Sequence, residues 1–385
     1  MKFTIDGTEF KNLVTKISNT AMKGSYNHIY EYIRISANNS GVSFQAENDG
    51  NFATITVYET VYECGETWVD LADLKKTINI TGELTITAED GRFEVRSSKK
   101  CYEIVACDLS ENWIAFPSTD DFNDICDLDK VQFIDYLSKL DCMRESSDHN
   151  EMLNSFYLDF INEKIVVLDG HRIGIAKITD ANYSDDCKSI VVNGKFYKCL
   201  KGLSGKSKTN DRVIVTAGKK YARFECKESN YCYWSLISWI PEGKYYDYGN
   251  MFFSYSDYVF ECDNKELGNI AKEYGKMNGV KDMKPMIICS ENERIATGFC
   301  NARYRTSDVL ENVTVKSGMS QGWYSAYNPA FIADACNIID GKIDVSGYYE
   351  PRKPVIFSDD TFTILMLPVN ISGEADIEFV RKQIA

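Results

Sequence analysis

Residues 125–140 read ICDLDKVQFIDYLSKL. A short β-type run gives way at a carboxylate to a stretch in which Phe133, Leu137 and Leu140 recur at helical spacing. Five more stretches have this form: FTIDGTEFKNLVTKI from Phe3, WVDLADLKKTI from Trp68, IVVNGKFYKCLKGL from Ile190, VFECDNKELGNIAKEY from Val259 and WYSAYNPAFIADACNII from Trp323. Recurrence of one unit along the whole chain is the signature of an internal repeat. Asp6, Asp70, Asp127, Asn193, Asp263 and Asn328 stand at or just before the expected helix starts, where a side-chain oxygen can accept from free backbone N–H groups. Pro329 suits a first helical turn, which needs no N–H. Alternating runs follow the helices, as in 83–97, 164–178 and 212–226, with tight turns expected at Asp90-Gly91 and Gly218-Lys219. The expected fold class is α+β, built from six helix-plus-sheet units. Paired, they give three similar domains at 1–126, 127–253 and 254–371, with the acidic, turn-rich stretch 109–124 as a connector.

The 385 residues carry a formal charge of −14, with 44% hydrophobic residues, enough for sizeable cores. The opening MKFTIDGTEF lacks a cationic segment followed by an apolar one, and no apolar run approaches the length of a membrane span, so a soluble, cytoplasmic protein is expected. Thirteen cysteines contain no CxxC pair; they are expected to be free, reduced and mostly buried, with no metal site and no cofactor. The charge is unevenly spread. Six helix windows (9–23, 72–80, 129–144, 194–208, 264–277 and 328–339) hold sixteen Lys and Arg against eight Asp and Glu, so they are basic inside an acidic chain. Pooled on one surface, such lysines would attract duplex phosphate without reading sequence. The DNA-facing candidates are Lys11, Lys16, Lys23, Lys75, Lys76, Lys139, Arg144, Lys195, Lys198, Lys201 and Lys272.

Catalytic signals are weak. There are three histidines, and no GxSxG elbow, HExxH or phosphate-cradling GxxxxGK[ST] is expected. The tetrapeptide Asp169-Gly170-His171-Arg172 by itself reads as a β-turn with exposed ends. No catalytic residue is expected.

VVLDGHRIGIA (166–176), ISWIPEGKYYDY (237–248), YNPAFIADACNIIDGKIDV (327–345) and TILMLPVNI (363–371), in this order and separation, resemble the bacterial polymerase III β sliding clamps. The resemblance runs from residue 1 to about 371. It implies three DNA-clamp domains per chain and a head-to-tail homodimer closing a ring around duplex DNA. The implied function is to tether the replicative polymerase, without catalysis. An alternative is a clamp-fold paralogue that competes for clamp-binding partners without supporting replication. The implied partners are the DNA polymerase III alpha subunit and the clamp loader, docking by a short linear motif in a cleft formed by Leu153, Leu168, Gly170, His171, Arg172, Ile173, Tyr246, Met251, Met366, Leu367, Pro368 and Val369. Tyr102 and Ile104, with Tyr274 and Met277 at the end of the fifth helix, are the implied dimer-interface residues.

The chain departs from the family pattern at several places. Tyr246 stands where a cleft proline is usual, Asn250 replaces an arginine, and the loop 146–152 carries Glu151 and Met152 in place of aromatic or basic residues. Tyr274-Gly-Lys-Met277 replaces a bulky apolar pair. The chain also continues beyond the family's usual end. Ile377, Val380 and Ile384 fall at helical spacing in 372–385, with acids first and Arg381 and Lys382 last, so a short helix is expected beside the cleft or over the third domain.

Overall fold

The computed structural model describes residues 1–21, 27–145, 150–205, 211–228, 232–278, 284–371 and 373–385. Six strand-to-helix junctions organise it. The helices are α1 (Gly7–Ile17), α2 (Leu71–Thr77), α3 (Lys130–Leu140), α4 (Gly194–Ser204), α5 (Asn264–Met277) and α6 (Pro329–Ile338). Each follows directly on a strand; before the strand of the next junction, α1, α3 and α5 are followed by four strands and α2 and α4 by three, and α6 is followed by three. The junction residue caps the helix every time, because its side-chain oxygen reaches the first free N–H groups. Asp6 accepts from the Thr8 amide at 2.7 Å and Asp70 from Asp73 at 3.0 Å. Asn193 accepts from Lys195 at 3.0 Å, Asp263 from Glu266 at 2.9 Å, and Asn328 from Ala330 at 3.0 Å. For α3 the expected cap is corrected. Asp129, not Asp127, accepts from the Gln132 amide at 2.7 Å. Asp127 lies within the strand Asn123–Asp129 opposite Ile214, and its carboxylate takes Arg212 Nε at 2.5 Å. That cross-strand pair extends the strand past the point where composition placed its end.

Packing divides the chain into two compact units. The first comprises Met1–Asp135, Leu158–Asn162 and Thr179–Gly243. It holds one fourteen-stranded sheet. Strands Asn51–Val57 and Cys232–Trp239 pair there from Asn51↔Ser238 to Val57↔Cys232, joining segments far apart in sequence. The Asp90-Gly91 turn has φ of 48° and 73°, the left-handed pair that a two-residue hairpin requires. Residues 108–122 contain neither helix nor strand, as expected of the connector. Lys130, at the start of α3, is 1% exposed. It donates to Asp211 at 2.6 Å and Glu228 at 3.3 Å. Burial alone would lower its pKa, but those two carboxylates outweigh it and the net direction is up.

The second unit comprises Tyr136–Tyr157, Glu163–Ile178 and Lys244–Ala385. Seven of its strands run in the order 164–168, 172–177, 362–366, 355–358, 342–347, 258–263, 314–317. Four more form a sheet in the order 305–309, 294–300, 286–291, 323–327. On the strand Arg294–Cys300 both faces are buried. Phe299 lies toward α5, its ring 5.8 Å from Tyr274, and Ala296 lies on the other side among Ile377, Val380 and Ile384. These belong to a seventh helix, α7 (Glu374–Arg381), and the turn after it. The extension is therefore helical, as its spacing predicts, and it covers this four-stranded sheet. Gly298 makes the fit: a Cβ there would overlap a Val380 methyl and lie 3.2 Å from the Val380 Cβ. Arg305 to Asp376 at 2.8 Å fixes the start of the helix to the outermost strand.

Among the described residues no helix is long and apolar enough to cross a membrane, and no group of three or more His, Cys, Asp or Glu is placed to hold a metal ion. Seven of the thirteen cysteines are buried, and Cys64, Cys101 and Cys142 are exposed.

Candidate functional site

The hairpin of strands Lys164–Leu168 and Arg172–Lys177 carries the DGHR turn at its tip. Asp169 Oδ1 accepts from the amides of His171 at 2.9 Å and Arg172 at 2.8 Å, and Gly170 takes φ +85°, a conformation that side chains disfavour. This turn leaves His171 exposed and folds Arg172 inward, to 5% exposure. The Arg172 guanidinium reaches Asp169 Oδ2 at 2.9 Å, Asp334 Oδ2 at 2.7 Å and the Cys142 carbonyl at 3.0 Å, and lies 3.9 Å from the centre of the Phe331 ring. A charge so enclosed is a structural pin, and removing it would strand two carboxylates. With its fork occupied by these partners, Arg172 supplies the groove with a wall and a fixed turn.

Beside that turn lies an apolar groove of about 390 Å³. Leu153, Leu168, Gly170, His171, Arg172, Ile173, Tyr246, Met251 and Leu367 line it, and all nine belong to the set expected from the sequence. Tyr246, Met251 and Leu367 are 37%, 45% and 44% exposed, an unusual concentration of uncovered large apolar side chains. The Tyr246 hydroxyl accepts from Asn150 Nδ2 at 3.0 Å. The other three expected cleft residues lie elsewhere. Met366 is fully buried, because side chains alternate along the strand Phe362–Met366. Leu365 and Leu367, its neighbours, face the groove. Val369 lines a second cavity, and Pro368, half-buried, lines neither. Two lining residues were missed. Leu365 could have been found by stepping two residues back from Leu367; Pro354 had no local signal. The groove wall is tied down by two backbone bonds, Leu367 N–H to the His171 carbonyl at 3.0 Å and Val369 N–H to the Ala326 carbonyl at 2.7 Å.

The basic candidates separate into two groups. Lys11, Lys75, Lys76, Lys198, Lys201 and Lys272 are exposed, with Lys76 held by Asp73 at 2.6 Å and Lys272 donating to Asn337 at 2.8 Å. The others are engaged and only partly exposed. Lys16 pairs with Glu228, Lys139 with Asp340 at 2.7 Å, and Lys195 with Asp49 at 2.5 Å. Arg144 pairs with Asp141, donates to the Asn154 carbonyl at 2.9 Å and covers the Phe156 ring, so it is a packing residue. Lys23 and residues 146–149 of the expected DNA loop lie outside the described residues, whereas Glu151 is described and exposed.

Among the interface candidates, Tyr102 and Ile104 lie half-buried on the strand Cys101–Cys107. One side of that strand pairs fully with Arg92–Arg96, but on the other only Ala106 and Cys107 are paired. Residues 101–105 are thus an open edge among the described residues. Met277 is half-buried. Tyr274 is corrected: it is fully buried, its hydroxyl donating to Asp308 at 2.5 Å, and it offers no surface to a second chain.

The expected absence of a GxSxG elbow needs one correction: the spacing itself does occur, at Gly318-Met-Ser320-Gln-Gly322. A serine nucleophile elbow requires a strand-to-helix turn, and here the segment joins two strands, Thr314–Ser317 and Trp323–Tyr327.

No family model matches the sequence, and no curated protein matches it. Solved structures do. A DNA polymerase sliding clamp from Bacillus subtilis superposes with a TM-score of 0.83 at 15% identity, over 96% of this chain and 99% of that one. A beta sliding clamp from Caulobacter crescentus gives 0.83 at 16% identity, over 96% and 99%. The beta subunit of a DNA polymerase from Streptococcus pyogenes gives 0.83 at 14%, over 96% and 100%. The chain has, over nearly its whole length, the α+β fold of the DNA polymerase III beta-subunit sliding clamps.

Proposed function

We propose that this chain is a DNA sliding clamp. Two copies would join head to tail into a ring around duplex DNA and hold the replicative polymerase through a short linear peptide seated in the groove. Each successive pair of repeats would be one domain, at 1–126, 127–253 and 254–371. The observation that carries the proposal is the groove itself: a preformed apolar channel on a clamp fold, with a few fixed polar groups at one end. Linear peptides bind such channels because their apolar side chains leave water there while the polar groups set orientation. Exposed Met251 supplies an adaptable lining suited to more than one partner, such as the polymerase alpha subunit and a clamp loader. The open edge at Cys101–Val105 would accept a strand from the second copy. The chemistry belongs to the polymerase, and this chain's contribution is topological. A cytoplasmic location belongs to the same proposal.

The test is titration of a labelled linear peptide carrying the clamp-binding segment of a replicative polymerase. Micromolar binding is expected, with a loss of about ten-fold or more when Leu367→Asp places a charge in the channel. Equal binding by both proteins would place the partner site elsewhere.

One observation favours a second reading, a clamp-fold paralogue that competes for partners without supporting replication. Lys16, Lys139, Arg144 and Lys195 are held by Glu228, Asp340, Asp141 and Asp49, and so offer less to phosphate than their number implies. Peptide binding without salt-dependent retention on duplex DNA would select the paralogue.

A further inference from the structure

The segment after the last strand joins two places. Leu367 lines the groove, and Ile371, four residues on, packs against the cluster in which Ile377, Val380 and Ile384 meet Ile287, Cys289 and Ala296. Four residues span at most about 14 Å, so there is little slack between them. Val369, Asn370 and Ile371 also line an open pocket of about 460 Å³, together with Ile287, Cys300, Arg305 and Asp376. The segment is therefore a short strap, bonded at Leu367 and Val369 and packed at Ile371, with one side bordering open space.

The two ends are anchored differently. The groove end has the two backbone bonds to His171 and Ala326. The far end depends on α7, whose eight residues are too few for a stable helix in water without tertiary contacts. Its folding and docking are thus one event, seated by the Val380 side chain in the notch left by Gly298 and by the Arg305–Asp376 pair.

We propose that Val380 and Ile371 are positioning residues for the peptide groove: docking of α7 tensions the strap and holds Leu367 in the groove wall. The proposal builds on the assignment of the groove as a peptide site, but its structural half can be tested without a peptide. Neither residue touches the groove; each acts through the strap.

The experiment compares the full-length protein with two variants. Val380→Asp puts a charge into the Gly298 notch and undocks α7. Ile371→Gly releases the strap while leaving the three buried α7 contacts intact. Two quantities are read: amide exchange at Leu367 and Val369, and affinity for the labelled polymerase peptide. Both variants are expected to lose about ten-fold or more in protection at those two amides and to weaken the peptide by a similar factor. Unchanged protection at Leu367 and Val369 in Val380→Asp, with the α7 amides themselves exchanging freely, would overturn the proposal. So would faster exchange with peptide affinity within about two-fold of the parent. If no form of the protein binds the peptide, the groove assignment fails, and the exchange data still decide whether α7 governs the strap.

Discussion

The sheet after α2 and the sheet after α5 are the same structural unit in two surroundings. In the first, strands Glu83–Glu89 and Arg92–Arg96 alternate buried and open residues, with Leu84, Ile86, Phe93 and Val95 inward and Thr85 and Glu94 facing out. In the second, Met286–Ser290 and Ile295–Cys300 are buried throughout, because α5 covers one face and α7 the other. The difference is written into composition. One-sided burial selects alternation; two-sided burial selects an unbroken apolar run, with a glycine where a helix comes close. The strands under α7 thus carry the apolar run that two-sided burial requires.

The largest expected effect tests that two-sided burial directly. Val380→Asp should destabilise the protein by about 3 kcal/mol, since α7 either undocks and exposes its apolar face or stays docked at the cost of burying a carboxylate, whereas Thr85→Asp on the open face of the matching sheet should cost under about 1 kcal/mol. Chemical denaturation with both variants would measure the contrast, and equal costs would mean that α7 adds no buried face.

Burial acts on a carboxylate in the first repeat. Glu47, on the strand Gly41–Asn48, is 4% exposed. Desolvation pushes its pKa up to about 7, partly opposed by the Gly50 amide that donates to it. Its folded pKa therefore exceeds the unfolded value. Between the two values the folded state binds more protons, so stability is fully retained at acid pH and lost as pH rises through about 7. Denaturation at pH 5.5 and pH 8.5 should differ by on the order of 2 kcal/mol from this group, and Glu47→Gln should remove that difference. An unaltered pH profile in the variant would assign the effect to other groups.

A smaller effect tests the notch. Gly298→Ala should cost about 2 kcal/mol by overlap with the Val380 methyl, and Val380→Ala in the same molecule should return about 1 kcal/mol of that. Additive costs would show that residues 298 and 380 do not meet. The smallest effect belongs to Arg305→Gln, which breaks the pair to Asp376 on a half-exposed surface; it should cost under about 1 kcal/mol and vanish in high salt.

Much of this molecule was legible in advance because its signals are local. A capping oxygen followed by apolar residues at helical spacing identifies each helix from about fifteen residues, and it found all six; α7, whose Gly373 N-cap offers no side-chain oxygen, was legible from apolar spacing and end charges alone. What such signals cannot contain is the partner. Asp127 was misread as a cap because Arg212, 85 residues away, holds it in a strand. Tyr274 and Arg144 looked available because helical phase and charge do not reveal Asp308 or Phe156. In the groove, resemblance located the DGHR turn and Leu367. Met366 was drawn in by its neighbours, although alternation along the strand points it into the core. The landing site of α7 was the least legible feature, since a glycine inside the apolar run Ile295–Cys300 marks a close approach but does not say which element makes it.

The proposed ring of two chains can be tested by small-angle X-ray scattering with absolute mass over a concentration series. A two-chain mass and the scattering profile of a hollow particle are expected. A one-chain mass at every concentration would contradict it, and would leave a clamp fold that binds partners without encircling DNA.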